Sequence, residues 1–386
     1  MRHRVYLSPG MFGFGRLGSF NYFAHVEREL TARFAAAGHE LVSHAVEDLP
    51  TASIRRRATR LAELVAQTHA GDPVHLLGHS TGGIDARLVA SPATRSIGEP
   101  TLAWLPQLRS VTTMNTPHFG TPLAAFFTTS NGQRVLEALS ILTVAGLTLG
   151  AQPLAATSAL LGFLRGIDRM VPFKVKMIDM SIESMVGVVD DARHPSVRAF
   201  LSAIQDDQGA MVQLSPESMD LVVAGFEDRP GVVYQSTASM APSPAPRGWL
   251  RTAGHPWRAV SLSVFFAIHR LTAAHNARYP CAAVREGGPW AGDANEAVLA
   301  RALGDRVVLA ANDGVVPLRS QIWGTVVWAG LGDHLDVLGH YYDGRDPSTV
   351  DPARRHRDWL TSGSNFGDAE MTTLMDAIAN GMLQAA

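Results

Sequence analysis

The stretch Leu76-Leu77-Gly78-His79-Ser80-Thr81-Gly82-Gly83 constrains this chain more than any other. Before it, Pro73-Val74-His75-Leu76-Leu77 is short, apolar and opened by a proline, which is the pattern of a buried strand. After it, Ile84 to Ala90 has helical spacing. A serine at the apex of a strand, sharp turn and helix is the context in which G-x-S-x-G carries chemistry. The apex backbone is strained, so the hydroxyl stands clear of the sheet. Gly78 and Gly82, two positions to either side, bring no Cβ into the crowded turn. The Ser80 hydroxyl then sits at a helix N-terminus, where backbone N–H groups favour negative charge. A glycine-rich turn with Ser80 as a helix cap is the plainer alternative.

The surrounding chain supplies the sheet such a turn needs. Val5-Tyr6-Leu7 reads as a strand and runs into the glycine-rich loop Pro9-Gly10-Met11-Phe12-Gly13-Phe14-Gly15. Phe20 to Ala36 is helical in pattern, His39 to Val46 alternates like a strand, and Thr51 to His69 is an amphipathic helix opened by Thr51. The run Arg55-Arg56-Arg57 on that helix reads as a solvated face. Leu108 to Met114 is the next strand and ends in Asn115-Thr116-Pro117-His118-Phe119-Gly120-Thr121-Pro122. Strands alternating with helices imply a mostly parallel sheet with helices on both faces. Sites in such sheets lie at the carboxyl ends of the strands, where Ser80, the Gly10 loop and the Asn115 loop all fall.

The alternation breaks after residue 122. Residues 123–210 read as a helical lid or cap insertion, with an uncharged run from Ala138 to Leu164 that Pro153 interrupts. Core resumes at 211–386. Ser215-Pro216 starts a helix, Val232 to Met240 is a strand, and a second, variable excursion covers 247–304. Arg306 to Leu309 is a weaker strand candidate, Thr325 to Ala329 the last strand, and a helix from about Asp368 closes the chain.

Over 386 residues the net charge is −2, with 18% charged residues. That balance argues against a nucleic-acid partner and offers no basic face to a membrane. Cys281 is the one cysteine, so no internal disulfide forms. The first ten residues are too short in apolar run for a secretory leader and end in Pro9-Gly10. The expectation is a cytoplasmic protein, or a secreted one whose leader has been removed.

A serine hydroxyl needs a base to take its proton, and the base needs an orienting acid. On this kind of sheet the chain order is serine, acid, histidine, each on a loop after a strand. Of fifteen histidines, His334 is singled out by Gly332-Asp333-His334 directly after the last strand. Asp313, in Asn312-Asp313-Gly314, is the candidate acid. Asp333 and Asp336 are rivals that would have to fold back to reach the ring. His79 and His118 read as pocket lining. Acyl transfer also needs two N–H donors for an oxyanion. Thr81, the residue after the nucleophile, is one, and Met11 is the other, since Pro9 cannot donate.

Four separated stretches together resemble the true bacterial lipases of the α/β-hydrolase superfamily, the Pseudomonas and Burkholderia type. They are Pro9 to Phe14 with Asn21-Tyr22, Val74 to Gly83, Asn115 to Pro122, and Asn312 to Pro317 with Asp333-His334-Leu335-Asp336. About a third of the chain takes part. The resemblance implies the α/β-hydrolase fold, Ser80, Asp313 and His334 as triad, Met11 and Thr81 as oxyanion donors, and ester hydrolysis without a redox cofactor. Members of that family often carry a structural calcium; Asp336 would match one ligand and Asp293 could partner it, but the remaining positions do not match well, and no metal or cofactor is expected. His340 stands where the family has glutamine, and Pro9-Gly10 where it has His-Gly. Substrates are expected to be small-molecule or lipid esters, met at a lipid interface through the lid, with no stable protein partner. An acyltransferase on the same triad and a non-catalytic lipid-binding protein are the rival readings.

Overall fold

A computed structural model describes residues 1–11, 16–17, 20–47, 51–93, 99–144, 207, 209–243, 256–278, 281, 292–345, 349–351, 355–358 and 360–385. Six strands form one sheet: β1 (Arg2–Ser8), β4 (Glu40–Ala45), β5 (Val74–His79), β6 (Leu108–Met114), β7 (Val233–Met240) and β8 (Thr325–Leu331). Their order is β4-β1-β5-β6-β7-β8, and every neighbouring pair is parallel. The short strands β2 (Arg16–Leu17) and β3 (Phe20–Asn21) pair separately. All six residues of β5 are buried, as expected of a strand with neighbours on both edges and helices on both faces.

Alternate side chains divide between the faces. Val5, Leu7 and Leu77 join one core with α1 (Ala24–Ala36) and the C-terminal helix, while Tyr6, Val74 and Leu76 join another with α2 (Ile54–Thr68) and α3 (Thr81–Ala90). The strand order turns back between β1 and β5. The loops that leave those two strands therefore open a crevice at the switch point.

Several boundaries differ from the pattern reading. The helix expected from Phe20 begins at Ala24, because Phe20 and Asn21 pair with β2. α2 is capped by Ser53, whose side chain accepts from the Arg56 N–H, while Thr51 is buried and donates to the Asp207 carbonyl at 2.5 Å. Arg306 to Leu309 is no strand. Gly304–Arg306 is a 3-10 turn, and Val308 and Leu309 stand in solvent with no partner edge.

Within the expected cap, α4 (Pro122–Phe127) and α5 (Ser130–Val144) are helical, and α6 (Gly209–Gln213) closes it. Residues 145–206 and 208 lie outside the described residues, as does most of the uncharged run. α7 (Pro216–Ala224) has Ser215 as N-cap and Pro216 in its first turn. In the 247–304 stretch, α8 (Pro256–Arg278) lies over the carboxyl end, and α9 (Asp293–Leu303) covers the sheet at β8. α10 (Asp368–Gln384) packs on α1 and β8. No helix among the described residues is long and apolar enough to cross a membrane.

Candidate active site

Ser80 occupies the junction of β5 and α3 with φ 54° and ψ −127°, a conformation that costs a non-glycine residue on the order of 1–3 kcal/mol. Its N–H is tied to the Met114 carbonyl at 2.8 Å, so the neighbouring strand holds the strained turn. The two glycines relieve crowding of a different kind from the one the motif suggests. A Cβ at Gly78 would lie 2.2 Å from the Gly82 backbone, and one at Gly82 would lie 1.9 Å from the Ser8 carbonyl oxygen. They let the elbow close on itself and let the end of β1 press against it. Thr81 is the first residue of α3, so its N–H is one of the helix's unpaired donors beside Ser80.

Ser80, Asp313 and His334 all line one cleft of about 960 Å³, its open mouth included. His334 Nδ1 bonds Asp313 Oδ2 at 2.7 Å, and the His334 N–H donates to the Asp313 carbonyl at 3.0 Å. Asp313 is fully buried and accepts three further bonds. The Asn115 amide donates to Oδ2 at 2.9 Å, and the Val315 and Val316 N–H groups donate to Oδ1 at 2.9 and 2.7 Å. Because the carboxylate only accepts, His334 carries its proton on Nδ1, which leaves Nε2 bare for a reacting proton. Asn115 was not singled out from the sequence beyond its place in a loop. It sits at the end of β6 with φ 48°, a left-handed conformation that asparagine tolerates, and also donates to Ser239 at 2.7 Å.

The rival acids are elsewhere. Asp333 Oδ1 caps its own turn, accepting the Leu335 and Asp336 N–H groups at 2.9 Å each. Asp336 Oδ2 accepts the Asp333 N–H at 2.8 Å and the Ser364 hydroxyl at 2.6 Å. Burial raises the Asp333 carboxyl to about 6, and burial beside Asp333 pushes Asp336 well up.

Met11 lines the cleft on the loop after β1, near Ser80. Arg57 secures that loop from beneath. It is buried rather than solvated, correcting the expectation from the arginine run. Its guanidinium donates to the Pro9 carbonyl and pairs with Asp85 at 2.8 Å, and Asp85 also accepts from Ser8 at 2.9 Å. Arg55 and Arg56 do face solvent. His79 and His118 are not pocket lining. Both are fully buried, His79 against Tyr22 and the His334 carbonyl, His118 against Arg87 and Thr113.

The walls of the cleft are apolar. Leu123 and Phe127 come from α4, Leu139 from α5, Phe265 and Ile268 from α8. Residues from both stretches flagged in the sequence, 123–210 and 247–304, therefore line it. The two residues that would match calcium ligands lie on different elements. Asp293 opens α9, whose Asn295 is bonded to Gly324 and Val326 at the amino end of β8, whereas Asp336 follows the carboxyl end. A strand of that length spans about 20 Å, so Asp293 and Asp336 belong to opposite ends of β8. Among the described residues, no group of three or more His, Cys, Asp or Glu could hold a metal.

No family model matches the chain. A triacylglycerol lipase of Pseudomonas fragi is 29% identical over 150 residues, 36% of this chain and 44% of that relative. The chain thus matches less than half of that relative's length. Among solved structures, a metagenomic carboxyl esterase is similar with TM-score 0.49 and 16% identity, over 99% of this chain and 76% of that one. The Staphylococcus hyicus lipase is similar with TM-score 0.49 and 16% identity, over 99% and 95%. The chain resembles the bacterial lipases and esterases, and its parallel sheet with a serine elbow after β5 is the α/β-hydrolase fold.

Proposed function

We propose that this chain is a serine carboxylic ester hydrolase acting on hydrophobic acyl esters. In this reading Ser80 attacks the ester carbonyl while His334 takes its proton through Nε2 and later returns it to the leaving alcohol. Asp313 holds the imidazole in the tautomer that can do so. The Met11 and Thr81 N–H groups receive the oxyanion, and water releases the acyl group from Ser80. The observation that carries the reading is the Asp313–His334 bond of 2.7 Å on the wall of the cleft that Ser80 also lines.

The apolar walls support an acyl chain or other hydrophobic ester group as the part of the substrate held there. Contact with a lipid interface through the cap belongs to the same proposal, and the curated relative is itself a triacylglycerol lipase. The test is turnover of a p-nitrophenyl ester chain-length series by wild type and Ser80→Ala. The variant is expected to lose on the order of 10⁴- to 10⁶-fold in kcat with its fold intact. More than a tenth of the activity remaining would remove Ser80 from the role.

A further inference from the structure

His79 Nε2 lies 2.8 Å from the His334 carbonyl oxygen, and its Nδ1 lies 2.8 Å from the Tyr22 hydroxyl. The Tyr22 hydroxyl is in turn hydrogen-bonded to the Gly10 backbone N–H. A carbonyl oxygen only accepts, so the hydrogen of His79 is on Nε2. Burial and the neighbouring His334 push its pKa far below the usual 6.5, so the ring is neutral and Nδ1 must accept. Tyr22 therefore donates to Nδ1 and uses its lone pair for the Gly10 N–H. The chain of bonds has one direction, from Gly10 through Tyr22 and His79 to the backbone of His334.

That direction joins two loops more than three hundred residues apart in the chain. Gly10 immediately precedes Met11, and His334 is the base. Packing at this point is tight. A Cβ on Gly10 would stand 2.8 Å from Ser80 Cβ, 3.1 Å from the Tyr22 hydroxyl and 3.2 Å from His79 Nδ1. The His79 and His334 rings are 4.7 Å apart. Tyr22 and His79 are both buried, and nothing in the proposed chemistry uses either as acid or base.

We propose that Tyr22 and His79 are positioning residues that tie the loop after β1 to the loop after β8, fixing the oxyanion donor and the base relative to each other across Ser80. This rests on the serine-hydrolase reading. Groups that act together in a transition state need placement to within about half an ångström, and neither loop is fixed to the other by its own strand.

Tyr22→Phe keeps the ring and removes only the hydroxyl. His79→Gln keeps a donor for the His334 carbonyl and gives up the ring nitrogen that Tyr22 addresses. Turnover of p-nitrophenyl butyrate would be measured per Ser80 labelled by a fluorophosphonate, so that unfolded protein is not counted. Each single variant is expected to lose about 10- to 100-fold in kcat at nearly constant KM, the effect of one lost buried hydrogen bond felt in the transition state. The double variant should be no slower than the slower single variant. The inference is overturned if Tyr22→Phe keeps more than half of the normalised kcat, or if the two losses multiply. A KM that rises with acyl length while kcat holds would make Tyr22 a substrate contact and overturn it too. If wild type neither labels nor turns over, the hydrolase reading itself has failed and the inference falls with it.

Discussion

Asp313 and Asp333 both face the same cleft from neighbouring loops, yet their surroundings are opposite. Asp313 is saturated with donors from four different residues, one of them His334. Asp333 also accepts bonds, from the Leu335 and Asp336 N–H groups and from Ser362, but two further carboxyls crowd it. Asp336 is bonded to its N–H, and Asp358 is close enough that Asp333 adds to the rise of its pKa. Burial is complete or nearly so at both positions, so burial does not separate them. The partners do. A buried carboxylate with a full set of donors can hold a ring in place, whereas a cluster of buried carboxyls is driven toward the protonated form and serves its own turn.

The most severe way to break this comparison is Asp313→Asn. The amide must turn a donor toward His334 Nδ1, Asn115 or the two valine N–H groups, and the wrong histidine tautomer becomes favourable. A loss of about 10⁴-fold in kcat is expected, measured on a short-chain ester. Next is Asn115→Gly, which keeps the left-handed backbone and deletes one donor to Asp313. It should cost about 10- to 100-fold, the value of a hydrogen bond to a charged group, and intact activity would make that bond irrelevant. Asp333→Asn should change kcat less than about fivefold, since Asp333 touches its own turn and not the ring. The reverse ranking of Asp313 and Asp333 would hand the acid role to Asp333.

The smallest effect sharpens the acidic side. Burial, then Asp333, raises Asp358 to about 7 from the ordinary 3.8. A group whose folded pKa is raised contributes stability that is complete below its unfolded value and is lost as pH rises through its folded one. Asp358→Asn removes that loss. Thermal melts should show the variant close to wild type at pH 3.5, below the unfolded value, and more stable than wild type at pH 8. An equal difference at both values would show that Asp358 does not carry the pH dependence.

How legible each residue was follows from how local its role is. Ser80 announces itself because strand, turn and helix are adjacent in the chain and the two glycines are needed within a few residues. His334 and Asp313 announce themselves by turn sequences directly after sheet elements. Arg57 did not, because a charged residue on a helix is ordinarily solvated, and only the Pro9 carbonyl and Asp85 make it otherwise. Tyr22 and His79 act through a hydrogen bond between residues 57 positions apart, which no periodicity records. Asn115 looked like a loop residue because its value lies in what stands opposite, 198 positions away. The Arg306–Leu309 reading failed for a related reason. Four apolar and charged residues suit a strand only if an edge is free beside them, and the turn after α9 carries them into solvent.

Alternating apolar runs, caps and glycine turns determined the parallel sheet and the elbow at Ser80, because those depend on neighbours in the chain, while the order of the candidate triad came from the resemblance to bacterial lipases. Which aspartate meets His334 was decided by strand order. The Asp313 turn docks on the end of β7 through the Ala241 N–H and the Asn312 carbonyl, while Gly332 bonds Met240 on the same strand end. With β7 beside β8, the two turns then lie side by side, and the His334 N–H reaches the Asp313 carbonyl. Hydrogen bonds of about 3 Å between groups so far apart in sequence exist only once the sheet has brought its carboxyl ends together.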